Sequence, residues 1–229
     1  MKIRKLYLYT NQLEIQFEFF TQTLGCSYQR QEEGVFTVKI GWTQLTFISS
    51  GQSYTYHYCF LIPSNKLEEA MDWFGRRVDY IQIGNKRFTQ YFESWNAESF
   101  YFYDKAGNVA ECIVHYDLEN VSFSTFEPSQ LIGVNEIGMP VLDISTAQQQ
   151  LENGLGSKPW KGDSLYFGTH GSEEGRILLP NYWEKTIWFP TQLPIRPSPF
   201  RAEVEVHSTK HQLHFDPDSK TVVDAISIL

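Results

Sequence analysis

The feature that most constrains this chain is an internal repeat in its first half. Residues 1–50 have the pattern of a strand, a helix and three further strands, and residues 54–116 repeat that order. Apolar residues at helical spacing indicate the helices, and alternating apolar and polar residues indicate the strands. A repeated supersecondary unit is a stronger guide to architecture than any single motif. We therefore expect an α+β protein built from βαβββ units.

The second half begins with the same order and then departs from it. A polar segment rich in turn formers, residues 117–130, predicts a linker. A third unit follows, with its later strands predicted at 165–168, 176–179 and 186–189. Beyond it, residues 201–207, 212–215 and 221–228 have the pattern of strands with no helix between them. The fourth unit is therefore predicted to have lost its helix.

These patterns predict two domains in tandem. The first comprises residues 1–116 with two complete units, and residues 117–130 link it to a second, reduced domain of residues 131–229. With 229 residues, the chain is long enough to bury a real core in either domain.

Composition narrows the partners that this chain is expected to have. The formal net charge is −8 and no run of Lys or Arg is present, so we expect no nucleic-acid partner. No signal peptide and no apolar segment of about 18 residues is visible, which predicts no membrane partner and a cytoplasmic location. Aromatic residues make up 16%, which favours strands and a small-molecule pocket.

Two segments of the second unit carry a family resemblance. Residues 100–111, FYFYDKAGNVAE, run from an aromatic strand through Asp, Gly and Asn to a strand bearing Glu111. Residues 57–62, HYCFLI, place His57 at the start of an apolar strand. In this order and inside a repeat, they resemble the vicinal oxygen chelate superfamily, which includes glyoxalases, bleomycin-resistance proteins and extradiol dioxygenases. The resemblance implies paired βαβββ modules that form open cupped barrels.

The resemblance also implies a metal site with one departure from the family pattern. Its usual ligand positions correspond here to Lys5, His57 and Glu111. His57 and Glu111 suit a divalent metal such as Fe, Mn, Zn or Ni. A protonated Lys5 has no lone pair to donate, so it is expected to pair with Glu111 and take the place of the metal. Whether a metal is bound therefore stays open, and Glu111 and Lys5 are the candidate catalytic residues.

Strand residues two apart share a face, and this periodicity predicts what else lines the cup. Tyr7 and Tyr101 are expected to face the ligand, together with Trp95 from a turn. Glu136 holds the corresponding first-strand position in the second domain and is a further candidate substrate-binding residue.

Two functions are compatible with these residues. One is a metal-dependent lyase or dioxygenase acting on a small aromatic or carbonyl compound. The other is a metal-free protein that binds and sequesters a small molecule, as in the bleomycin-resistance type. Each cup could be completed within one chain or across a homodimer, which the sequence leaves open.

Overall fold

The computed structural model describes residues 1–219 and 224–228, and it is mainly β-structure with three α-helices in that part of the chain. The first unit and the second unit each have one helix and four strands, and the third has the same content. In chain order the elements are β1 (Lys2–Thr10), α1 (Leu13–Glu18), β2 (Tyr28–Glu32), β3 (Val35–Ile40), β4 (Thr43–Ser49), β5 (His57–Leu61), α2 (Leu67–Phe74), β6 (Thr89–Phe92), β7 (Ala97–Tyr103), β8 (Val109–His115), β9 (Gly133–Gly138), α3 (Ile144–Leu155), β10 (Pro159–Gly162), β11 (Phe167–Ser172), β12 (Gly175–Pro180), β13 (Phe200–Val206), β14 (Thr209–Phe215) and β15 (Asp224–Ile228).

The predicted α+β class and the repeated βαβββ units are confirmed by this order. Within the described residues no helix lies between the last three strands, which agrees with the expected loss from the fourth unit. Residues 220–223 and 229 lie outside the described residues, and with them part of the predicted strand 221–228. No helix in the part of the chain that the structure describes is long and apolar enough to cross a membrane.

The strands form two curved sheets, and each takes strands from both sides of the linker. A seven-stranded sheet has the order β15-β14-β13-β1-β4-β3-β2, and an eight-stranded sheet has the order β10-β11-β12-β9-β5-β8-β7-β6. The first unit therefore shares a sheet with the fourth, and the second unit shares a sheet with the third. Antiparallel pairing of β1 with β13 and of β5 with β9 joins them.

This pairing corrects the expectation that the first two units form one cup together. A βαβββ unit leaves one edge of its first strand open, and any strand of suitable pattern can pair there. Alternation along a strand fixes which face is apolar, but it does not fix which distant strand fills the edge. The division into domains 1–116 and 131–229 stays a prediction, although the residues of the linker do separate β8 from β9.

On the eight-stranded sheet, α2 packs against β7 and α3 against β11 and β12, so that the helices and one face of the sheet share the main apolar core. On β5, the side chains of Tyr58 and Phe60 pack into the main apolar core, whereas Cys59 and Leu61 belong to a separate cluster on the opposite face. The same alternation on β8 sends Cys112 into the main core. The face of the eight-stranded sheet that carries His57 and Glu111 is thus available for a cavity.

The third unit differs from its prediction in which segments form its strands. Its last strand is β12, and the segment predicted as a strand at 186–189 is a loop instead. There Ile187 makes only an isolated bridge with Pro194. Prolines at 190 and 194 cannot donate a backbone hydrogen bond to a ladder, which disfavours a strand in this segment.

In the hairpin between β7 and β8, both carboxylate oxygens of Asp104 accept hydrogen bonds, which explains the residues of the sequence motif there. Asp104 is buried and accepts hydrogen bonds from Tyr58 Oη at 2.7 Å, Asn108 Nδ2 at 2.7 Å and Gln16 Nε2 at 2.5 Å. Its backbone partners are the N–H groups of Ala106 and Asn108, both at 2.9 Å. The motif therefore anchors the hairpin to α1 and β5, and it fixes the start of the strand that carries Glu111.

Replacement of Gly41 by alanine is expected to destabilise the protein strongly. Gly41 has a φ of +51°, and a Cβ atom there would lie 2.0 Å from the carbonyl oxygen of Ile132, a backbone atom that cannot easily move. The strain and the clash together should lower the free energy of unfolding by about 3 kcal/mol or more. Thermal unfolding measures the effect, and Gly51→Ala is the control because no atom lies within 4 Å of its Cβ position. Equal melting temperatures for the two variants would contradict this account.

Candidate active site

Three acidic or basic side chains converge on the open face of the eight-stranded sheet. His57 comes from β5, Glu111 from β8 and Glu136 from β9, and all three are buried. One potential ligand atom from each lies within 4.8 Å of those of the other two. A cluster of two carboxylates and an imidazole has the donor atoms to hold a divalent cation.

The register of the strands explains why these residues meet. Glu136 lies opposite Cys59, Cys59 lies opposite Glu111, and Glu111 lies opposite Tyr101. On the other side, Glu136 lies opposite Arg176 of β12. These five residues form one row across the sheet, and residues in one row share a face.

Hydrogen bonding orients the His57 ring towards the carboxylates. Its Nδ1 lies 3.1 Å from the carbonyl oxygen of Val109, which can only accept, so Nδ1 carries a hydrogen. Its Nε2 lies 3.3 Å from Glu111 Oε2. A neutral ring would then direct the Nε2 lone pair at a carboxylate lone pair, so a proton or a cation is required between them. Burial alone would lower the pKa of His57, but the hydrogen bond and charge of Glu111, with that of Glu136, raise it overall.

Glu136 is held less firmly than Glu111. Its Oε1 lies 3.5 Å from Arg176 Nε, which is an ion-pair contact but has no hydrogen-bond geometry. Burial, and then the charge of Glu111, raise the pKa of Glu136 to about 7, against the opposing charges of Arg176 and His57. A buried carboxylate oxygen without a hydrogen-bond partner is an unmet acceptor.

Arg176 is fully buried behind Glu136. Its Nη2 donates to Asn135 Oδ1 at 3.0 Å and to the carbonyl oxygen of Glu173 at 3.1 Å, and it also contacts His115 Nε2. Two indole rings enclose its guanidinium carbon, Trp160 at 4.2 Å and Trp95 at 4.8 Å from their centroids. Its Nη1 has no hydrogen-bond partner among the described residues. The arginine therefore places a fixed positive charge under one end of the carboxylate cluster.

A cavity of about 320 Å³ opens above the cluster, with His57, Glu111 and Glu136 in its wall. Most of its other lining is aromatic or apolar, and the full set of these residues is Phe92, Trp95, Tyr101, Tyr166, Phe167, Leu178, Lys185, Trp188 and Phe189. The His57 ring lies between Trp188, with centroids 5.0 Å apart, and Tyr101, with centroids 6.4 Å apart. Apolar walls with a few polar groups at one place are typical of small-molecule sites.

The structure corrects the predicted place of two candidate residues. Lys5 lies on β1 in the seven-stranded sheet, and its Nζ pairs with Glu203 Oε2 at 3.1 Å. It therefore does not pair with Glu111, because β1 has β4 and β13 as its neighbours. Tyr7 lies on the same strand, where its ring contacts the guanidinium of Arg201 at 5.6 Å. Neither residue lines the cavity described above.

Other predicted residues do lie together at the cavity. His57 and Glu111, which the resemblance assigned to one site, line it with Tyr101 and Trp95, and Glu136 joins them across the pairing of β5 with β9. Glu136 was predicted for a separate cup in the second domain. It lies with the others because the second and third units share one sheet.

Sequence reasoning missed Arg176, Lys185 and Trp188. A single Arg inside the apolar strand 175–180 was a usable signal, since a buried charge in a strand requires partners. Trp188 belongs to the segment 186–189 that was predicted as a strand, and Lys185 directly precedes that segment. No pattern in the sequence marked this loop as a wall of the cavity.

The donor set fits a divalent metal ion. Among the described residues, Glu136 Oε1 is a buried oxygen without a hydrogen-bond partner, and His57 can present the lone pair of Nε2 once its proton is lost. One nitrogen and two carboxylates suit Fe²⁺, Mn²⁺ and Zn²⁺. Lys5 lies in the other sheet, so its ammonium group does not occupy the ligand position that was expected for it.

Comparison with known proteins identifies the fold but not the activity. No protein-family model matches the sequence, and no curated protein matches it significantly. Among solved structures, a Bacillus subtilis protein provisionally described as a dioxygenase has a TM-score of 0.61 at 13% identity, covering 99% of this chain and 84% of that one. A variant of glyoxalase I from Zea mays has a TM-score of 0.57 at 11% identity, covering 99% and 92%.

Both comparisons extend over the two sheets and not only over one unit, since each covers 99% of the chain. Identities this low establish similarity of fold and leave activity to be argued from the site. The resemblance noted in the sequence is thus confirmed at the level of structure. This chain has the same two-sheet fold as these dioxygenase-like and glyoxalase I structures.

Proposed function

We propose that this protein binds one divalent metal ion through His57, Glu111 and Glu136 and acts on a small aromatic or carbonyl compound as a lyase or dioxygenase. The observation that carries the proposal is the convergence of the three donors at the wall of an aromatic cavity. A bound divalent ion would polarise an oxygen atom of the substrate.

The residues of the chain would bind and orient the compound. Trp188 and Tyr101 contact the His57 ring and line the cavity with it, and aromatic rings in a cavity wall favour a planar ligand. Phe189 contacts Tyr101 edge to face at a centroid distance of 5.7 Å, and this narrows the site further. A compound bound among these rings would displace water from the carboxylates, which would strengthen their electrostatic interactions with a bound ion.

The proposal is tested by metal content. Protein freed of metal by a chelator and dialysed against Mn²⁺ or Zn²⁺ should retain one ion per chain, because three buried donors converge. Glu111→Gln should lower the affinity about a hundredfold, since a neutral amide is a poorer ligand than a carboxylate. Elemental analysis and titration calorimetry measure both quantities.

The control for this experiment is Glu98→Gln. Glu98 lies on β7 next to β8, but it bonds Tyr116 Oη at 3.1 Å and does not line the cavity. Its substitution should leave the metal content unchanged. The proposal is wrong if the wild-type protein retains no stoichiometric ion, or if Glu111→Gln retains as much as the control.

A metal-free binding protein is the second candidate, and one observation favours it. Without a metal, His57 can pair as a cation with Glu111 while Arg176 pairs with Glu136. The four charges then balance, so the cluster can exist without an ion. In this case binding of an aromatic compound would be unaffected by a chelator, whereas the metal-dependent function predicts that a chelator abolishes it.

A further inference from the structure

One charged side chain in the cavity takes no part in the metal cluster. Lys185 lies in the loop between β12 and β13, and its backbone N–H donates to the carbonyl oxygen of Asn181 at 2.7 Å. Its side chain reaches the wall of the cavity together with Tyr166 and Phe167. Its Nζ lies 5.3 Å from the ring centroid of Tyr166 and 5.8 Å from that of Phe167.

The ammonium group of Lys185 has no anionic partner among the described residues. Lys2, Lys5, Lys66 and Lys210 each lie within 4.0 Å of a carboxylate, but no acidic oxygen of that part of the chain lies so close to Lys185. Burial lowers the pKa of Lys185, and no neighbouring carboxylate opposes that effect. The ammonium group is therefore partly removed from water, and no neighbouring negative charge in the described part of the chain compensates for the lost hydration.

A partly desolvated cation in a ligand cavity is best satisfied by an anion of the ligand. The aromatic rings beside it compensate only in part, because a cation–π contact is weaker than a charge-assisted hydrogen bond. The cavity volume of about 320 Å³ lies at the lower end of the range for ligand sites, which suits a single substituted ring.

We propose that the compound bound in this cavity is an aromatic carboxylate, and that Lys185 determines this specificity by pairing with the carboxylate. The metal-binding end of such a compound would face His57 and the two glutamates, and its carboxylate would face Lys185. The proposal rests on the proposed function for the metal-binding end, but recognition of the carboxylate by Lys185 can be measured separately.

Two probes of the same shape separate the charge from every other property. 3,4-Dihydroxybenzoate and 3,4-dihydroxybenzamide share a ring and a pair of metal-binding oxygens, but only the first is an anion. Titration calorimetry with the Mn²⁺-loaded protein should show about tenfold tighter binding of the benzoate, which corresponds to about 1.4 kcal/mol. In Lys185→Met the two probes should bind within about twofold of each other.

Lys39→Met is the matched control, because Lys39 is exposed on β3 in the other sheet. It should keep the tenfold preference. Metal content and melting temperature should be the same in Lys185→Met and the wild-type protein, because within residues 1–219 and 224–228 Lys185 has no hydrogen bond to the three donors and no ion pair.

The outcomes distinguish this inference from the proposed function. A preference for the benzoate that persists in Lys185→Met would overturn the role of Lys185, and so would equal binding or no binding of the two probes by the wild-type protein. If the protein retains no metal and still prefers the benzoate through Lys185, the proposed metal-dependent function fails while the inference on specificity stands.

Discussion

Replacement of His57 by glutamine is expected to weaken Zn²⁺ binding about a hundredfold and Mn²⁺ binding only about tenfold. His57 supplies the only nitrogen in the cluster, and the two remaining donors are carboxylates. Imidazole suits Zn²⁺, whereas Mn²⁺ is well served by oxygen ligands. The variant should therefore change the selectivity of the site as well as its affinity, which competition between the two ions measures.

His170→Gln is the matched control for this experiment. His170 is also fully buried in the eight-stranded sheet, but its Nε2 contacts Ser157 Oγ at 2.8 Å and it does not line the cavity. Its substitution should cost stability without changing either metal affinity. An equal loss of Zn²⁺ and Mn²⁺ affinity in His57→Gln would mean that His57 does not ligate the ion directly.

Replacement of Arg176 by methionine is expected to lower the free energy of unfolding by about 3 kcal/mol, because it leaves several buried groups unpaired. Asn135 Oδ1 and the carbonyl oxygen of Glu173 would lose a donor, and Glu136 would lose its nearest cation. For a chain of this size, this loss corresponds to a fall of about 6–12 °C in melting temperature. Differential scanning calorimetry measures it directly.

Arg196→Met serves as the reference for Arg176→Met, because Arg196 is exposed and should tolerate the change within about 0.5 kcal/mol. Methionine has an apolar volume similar to the arginine stem, and apolar replacement of buried ions can stabilise some proteins. A melting temperature for Arg176→Met at or above that of the wild-type protein would show that the arginine is retained for the site and not for stability.

The sequence predicted the units of the fold better than their arrangement. The family resemblance placed His57 and Glu111 at one site, and alternation along β5 and β8 assigned each of them a face of its own strand, because that pattern depends only on local geometry. The hairpin motif around Asp104 was equally readable, since four of the five hydrogen bonds to its carboxylate come from residues of its own unit, and only that of Gln16 comes from the first unit. Local signals of this kind survive in a single sequence.

The arrangement of the units depends on long-range pairing that a single sequence does not display. Lys5 was assigned to the cup of His57, yet the edge of β1 pairs with β13 and brings Lys5 to Glu203. Glu136 was assigned to a separate cup, yet it completes the cluster through β9. The wall formed by Lys185 and Trp188 was missed because loop conformation is set by contacts and not by periodicity.

The pairing of the sheets has a consequence for the order in which the chain can fold. The eight-stranded sheet is built from one continuous stretch, residues 57–180, whereas the seven-stranded sheet joins positions as far apart as Lys5 and Glu203, which are separated by 198 positions. Contacts between distant positions form slowly, because closing a long loop costs chain entropy before any pairing compensates. During synthesis, the strands that carry His57, Glu111 and Glu136 can therefore assemble before β13 has been made. Until then, the edge of β1 that later pairs with β13 is open to pairing with other chains.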